Sequence, residues 1–189
     1  MRLLFVCALL LTTAAGMSAF GFGFAFAIES QAPKTGPVVA EFGPVYEVSK
    51  PDFETPIDQD YKVVFDVVSA PEDLSRVNPS IETAARFLNM HAAAGVPVER
   101  MHVAVVLHGA AGKYALEQDG FRKRFGRDNP SLTLLEQLRD AGVRVILCGQ
   151  TAASRGFPRD ELSGSVELAL SAMTALITLQ RDGYELIAF

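Results

Sequence analysis

Val143-Arg-Val-Ile-Leu-Cys-Gly-Gln-Thr151 decides the reading of this chain. An apolar run ends in Cys148, and Gly149-Gln150-Thr151 turns polar at once. A short apolar run bounded by turn residues reads as a buried strand. Strands that are apolar on both faces belong to parallel sheets covered by helices on each side. In open sheets of that kind, ligands and chemistry collect at the carboxyl ends of the strands. The stretch therefore points to a fold and to a candidate site together.

Working outward, the same pattern recurs. Lys62–Val68 is a strand, apolar but for Asp66, and His102–Leu107 is another. Between them Asn78-Pro79 opens a helix as cap plus first-turn proline. Ile81, Ala84, Ala85, Leu88 and Ala92 line its inner face, and Gly95 stops it. Asn129-Pro130 opens a second helix with Leu132, Leu135 and Leu138 inward, closed by Gly142. After Cys148, Thr151 is expected to cap a short helical turn, and Val166–Ala169 is a short fourth strand. Ser171 caps a last helix to Asp182, and Tyr184–Ala188 is a terminal strand. Alternating strands and helices give a three-layer α/β/α domain with a mostly parallel sheet of about five strands. The last helix, Ala172–Leu179, is apolar nearly all round, so it must lie deep or be covered by a partner subunit.

The first 60 residues are of two kinds. Residues 1–27 hold one charge, Arg2, then an apolar run and Ala25-Phe26-Ala27, a small-x-small site. That order describes a secretory signal peptide. The glycines and the cleavage site favour this over an uncleaved anchor of about 20 residues, so a periplasmic or secreted protein without stable membrane insertion is expected. Residues 28–60 are broken by Pro33, Pro37, Pro44, Pro51 and Pro56, and read as an extended arm. Phe42, Val45, Tyr46 and Phe53 are the residues that could pin it. The folded domain then runs from 61 to 189.

Of 189 residues, 17 are basic and 22 acidic, and without Arg2 the balance is 16 against 22. No basic run of the kind that grips phosphate backbones is present, which argues against nucleic acid. Lys113, Arg122, Lys123, Arg124 and Arg127 are diluted by Glu117, Asp119 and Asp128, the pattern of a solvated helix face. His91, His102 and His108 lack metal-ligand spacing, so no metal is expected. Gly109-Ala-Ala-Gly112-Lys113 has the wrong spacing for a phosphate loop and reads as a tight strand-to-helix turn, although its amides could cradle a small anion.

Cys148 is the sole cysteine outside the signal segment, which holds Cys7. Without a disulfide partner it is either a packing residue or a reactive thiol. His108 ends the strand expected beside that of Cys148, so it either steadies its turn or approaches the thiol. A nearby helix start and Arg155 would favour thiolate and hold an anion. Asp66, inside an apolar strand, is expected to be paired or hydrogen-bonded.

With these residues in place, Tyr61–Phe189 resembles the DsrE/DsrF-like family of sulfur-relay proteins. The most specific stretch is Val145–Gly156, with Ala172-Met173 and Gly183-Tyr184 beyond it. The resemblance implies a five-stranded parallel α/β/α sheet, no metal or organic cofactor, and homo- or hetero-oligomers, commonly trimers or hexamers. It makes Cys148 the cysteine that accepts sulfur as a persulfide, with Arg155-Gly156 matching the pair that follows it. The expected site is thus Cys148, His108 and Arg155, with Gly109, Gly112, Gly149, Gln150 and Thr151 around them. An exported sulfur carrier or sulfurtransferase, served by a donor and an acceptor, is the leading expectation. A non-catalytic oligomeric module, with Cys148 structural, is the alternative.

Overall fold

The computed structural model describes residues 31–188; the expected signal segment lies outside them. Five strands form one sheet in the order β4-β3-β2-β1-β5: β1 Tyr61–Val67, β2 Met101–Leu107, β3 Arg144–Cys148, β4 Val166–Ala169 and β5 Glu185–Ala188. Every neighbouring pair is parallel. The α/β/α architecture read from the sequence is therefore the one present.

Five helices connect the strands: α1 Pro79–Ala93, α2 Gln118–Phe125, α3 Leu132–Asp140, α4 Gly149–Arg155 and α5 Ala172–Arg181. The chain steps from β1 to β4 in one direction, then returns across the sheet to β5. Parallel crossovers are right-handed, so reversing the direction puts the returning helix on the opposite face. Two cores result. One packs Val63, Phe65, Val103, Val105, Val145 and Leu147 against α1, α3 and the arm. The other packs Val64, Ala104, Val106, Ile146 and Cys148 under α5. The alternation of strand side chains decides which residue joins which core.

Asn78 caps α1 as expected, its side chain accepting from the amides of Ser80 and Ile81. Asn129 does not cap α3, which starts at Leu132 after Ser131. Its amide turns inward instead, donating to the carbonyls of Tyr114 (2.9 Å) and Leu116 (2.7 Å). Those carbonyls are buried, and buried acceptors need a donor more than an exposed helix start does. The basic cluster lies largely on α2, where Arg122 pairs with Asp128 and Asp119, and Arg124 and Lys123 pair with Glu161.

Residues 31–188 form one compact unit, and the arm from residue 31 onward is part of it. Lys34 and Val45 exchange backbone hydrogen bonds at 2.9 Å, closing a loop whose Val39 enters the core. Asn89 of α1, fully buried, grips that loop. Its Oδ1 accepts from the amides of Val38 (3.0 Å) and Val39 (2.8 Å). Its Nδ2 donates to the carbonyls of Val39, Phe42 and Gly43. The expected aromatic pins do less: Phe42 is half-buried, whereas Tyr46 and Phe53 are 62% and 88% exposed. The arm is held through its backbone, so side-chain size was no guide. Replacing Asn89 by Ala strands buried amides, and should cost about 2–4 kcal/mol in urea unfolding and expose the arm to proteolysis.

Candidate functional site

Strand β3 passes into α4 without a loop. Cys148 is the last residue of the strand, level with Ala169 of β4, and also the N-cap of the helix. The helix thus begins two residues before Thr151, which sits in its first turn rather than capping it. Gly149 makes the junction possible: a Cβ there would lie 2.5 Å from the carbonyl oxygen of Ala169. Its role is close packing against the end of β4. Gln150, exposed, reaches the carbonyl of Leu170 at 3.4 Å.

Cys148 is 6% exposed and belongs to the core beneath α5. Burial pushes its thiol pKa up, but hydrogen bonds from the Thr151 amide and hydroxyl, then the amides of Ala172 and Gln150, outweigh burial and hold it below the ordinary cysteine value. The Cys148 side chain makes no capping hydrogen bond of ordinary geometry, so these donors act on the thiol without closing a cap. They come from the first turns of both α4 and α5, where unpaired N–H groups favour negative charge.

Thr151 also joins this site to the turn after β2. The amide of Gly109 donates to its Oγ1 at 3.1 Å. Gly112 packs on it so closely that a Cβ would stand 2.6 Å from the Thr151 methyl. Three amides of the turn are engaged within the protein: Gly109 by Thr151, Ala110 by Val68, and Ala111 by Val68 and His108. The turn leads into one short 3-10 segment, Ala111–Ala115.

His108 follows the last β2–β3 pair, Leu107 with Leu147, and so stands level with Cys148. Its ring turns toward β1, where Nε2 lies 2.8 Å from Oδ1 of Asp66. Asp66 is thereby paired. The hydrogen bonds that favour the thiolate come from Thr151, Ala172 and Gln150, and His108 is not among their donors.

Arg155 ends α4, about 9 Å along the axis from its start at the standard rise. It is exposed and lies one turn beyond Thr151 on the same face, toward the Gly112-Lys113 turn. Burial, and then the charge of Arg155, hold the Lys113 ammonium below its ordinary range. The structure therefore brings Cys148, Gly149, Gln150 and Thr151 together, with Gly109 and Gly112 behind Thr151. His108 is placed with Asp66, and Arg155 with Lys113. Ala172, whose amide serves the thiol, entered the sequence reading as the start of the last helix and part of the family resemblance, not as a site residue; Ser171 as a helix cap was the signal that a first-turn amide would follow it.

Comparison with known proteins supports the fold independently. A model of the DsrE/DsrF-like family matches residues 62–189. No curated protein matches. Among solved structures, protein MTH1491 of Methanobacterium thermoautotrophicum, of unknown function, is 23% identical with a TM-score of 0.51 over 69% of this chain and 100% of its own. The ychN protein of E. coli is 19% identical with a TM-score of 0.50 over 68% of this chain and 99% of its own. Both have this fold.

Thr151 provides the test of the thiol environment. A depressed pKa keeps the thiolate to lower pH than an ordinary cysteine does, and the thiolate is lost as pH falls through that value. Thr151→Val removes one donor and keeps the shape. The pH profile of iodoacetamide alkylation should move to higher pH, with alkylation at neutrality slowed about 3–10-fold.

Proposed function

The chain belongs to the DsrE/DsrF-like family, and from that premise we propose that it carries sulfane sulfur as a persulfide on Cys148. The observation that carries this reading is the thiol at the junction of two helix starts, held toward thiolate against the effect of its own burial. The thiolate is the nucleophile in sulfur exchange. Attack on the outer sulfur of a donor persulfide forms the new S–S bond, breaks the donor's, and releases the donor thiolate. The product on Cys148 lies near the same N–H groups, which favour an anionic outer sulfur as they favour the thiolate.

One observation favours a second reading. Cys148 is only 6% exposed, and a buried cysteine can be a small packing residue in a non-catalytic module. The two readings separate on the native protein. Under the sulfur-carrier reading, polysulfide adds about 32 Da per sulfur to the intact mass, removable by reductant and absent in Cys148→Ser. A native thiol that reacts only after denaturation would leave the packing reading standing.

Self-association and export complete the proposal. Helix α5 is not buried all round: Met173 is 72% and Ile177 52% exposed, beside Leu168 and Leu170 on the β4 edge. An open pocket of about 270 Å³ lies there, lined by Ile146, Leu168, Leu170, Thr174 and Leu179 together with the Arg144–Glu167 ion pair. Exposed apolar side chains of this kind mark an interface, which supports self-association of the chain; the trimer or hexamer is what the family resemblance implies. Ile177→Asp should reduce the assembly to monomers in sedimentation without lowering monomer stability, because the side chain faces solvent there. Export rests on residues 1–27 and predicts a secreted protein whose N-terminus, on sequencing, begins near Ile28. Among the described residues no helix is long and apolar enough to cross a membrane.

A further inference from the structure

The hydrogen bonds around Cys148 supply a nucleophile, and they leave the Asp66–His108 pair without a part in the chemistry. Val64 and Val106 lie in the core beneath α5, and Asp66 and His108 follow each of them by two residues. Strand alternation keeps residues two apart on one face. Asp66, His108 and Cys148 therefore rise from the carboxyl ends of three adjacent strands, β1, β2 and β3, on the same side of the sheet. His108 is level with Cys148 on the neighbouring strand, roughly 4.8 Å away at the backbone.

The pair is built rather than incidental. Asp66 is the single carboxylate in β1, and its Oδ1 meets His108 Nε2 at 2.8 Å, with both side chains only about a quarter exposed, 25% and 27%. The carboxylate accepts, so Nε2 carries a proton whether the ring is neutral or charged. Protonation then takes place at Nδ1. A carboxylate that orients one ring nitrogen while the other exchanges protons is the arrangement used in nucleophilic sites.

Sulfur transfer lacks one thing that the thiol's own surroundings do not provide. When Cys148 takes sulfur from an alkyl persulfide, the departing thiolate is basic, and leaving-group basicity slows exchange. We propose that His108, oriented by Asp66, is the general acid–base group of sulfur transfer at Cys148. This deepens the persulfide reading and rests on it. In the forward step the Cys148 thiolate bonds to the outer sulfur of R–S–S–H and the donor S–S bond breaks. Its electron pair leaves on R–S⁻, which takes the proton of the His108 imidazolium and departs as R–S–H. Cys148 is left as a persulfide and His108 as neutral imidazole. In the return step an acceptor thiol gives its proton to His108, and its thiolate takes the outer sulfur. Cys148 leaves as thiolate into its hydrogen bonds, and both residues are back where they started. Asp66 touches no reactant and is a positioning residue.

The test separates proton donation from a structural effect by changing only the leaving group. Two mixed disulfides of methanethiol, one with glutathione and one with 4-nitrothiophenol, deliver the same methylthio group to Cys148. The first releases a basic alkyl thiolate, the second a stable aryl thiolate that needs no proton. His108→Gln should slow labelling by the glutathione disulfide about 100-fold, the lower end of general acid catalysis, and leave the nitrophenyl reaction within about 2-fold. Asp66→Asn should show the same selectivity to a smaller degree, and it carries the test if His108→Gln does not fold. Equal slowing with both reagents, or no slowing with either, overturns the role of His108 while Cys148 remains a working thiol. A wild-type Cys148 inert to both reagents overturns the persulfide reading and this inference with it.

Discussion

The direct passage of β3 into α4 is the constraint on which the site depends. Cys148 ends one element and caps the next, so its side chain has no loop to wander on. Helix caps accept hydrogen bonds from first-turn amides, and a cysteine in that place presents sulfur where a serine would present oxygen. The position that favours a capping oxygen also favours a thiolate. Gly149 lets β4 end close by, with Ala169 level with Cys148, and Ser171 starts α5 so that the amide of Ala172 faces the same sulfur.

Burial and reactivity pull against each other here. A thiol in an apolar core ordinarily stays protonated. Cys148 lies in such a core, yet the donors from Thr151, Ala172 and Gln150 outweigh the loss of water. Thr151 is central because it works in both directions, donating to sulfur and accepting from Gly109. The turn after β2, expected as a tight strand-to-helix turn, sets the Gly109 amide against the Thr151 hydroxyl.

Topology explains the exposed apolar helix. Four strands wind one way with their helices on one face, and the single return to β5 leaves α5 alone on the other. One helix cannot cover a five-stranded sheet. Its small inward residues, Ala172 and Ala175 with Leu179, let it sit close to β1, β2 and β3, while Met173 and Ile177 face outward. The sequence pattern of a helix apolar all round is thus the pattern of one helix with two apolar neighbours, the sheet on one side and an uncovered surface on the other.

The amino-acid sequence by itself determined the parallel sheet, its five strands and the position of Cys148 at a strand end, because apolar runs and their punctuation are local signals. It also located the Asn78 and Ser171 caps, whose side chains bond within their own first turns. Tertiary structure alone decided what each polar side chain meets. Asn129 and Asp66 have partners 13 to 42 residues away, and Asn89 binds an arm up to 51 residues distant. His108, level with Cys148, turned to Asp66 instead. Local preference locates a strand end, but the partner of a buried polar group is chosen by which elements fold against it, since desolvation penalises every alternative that leaves it unpaired.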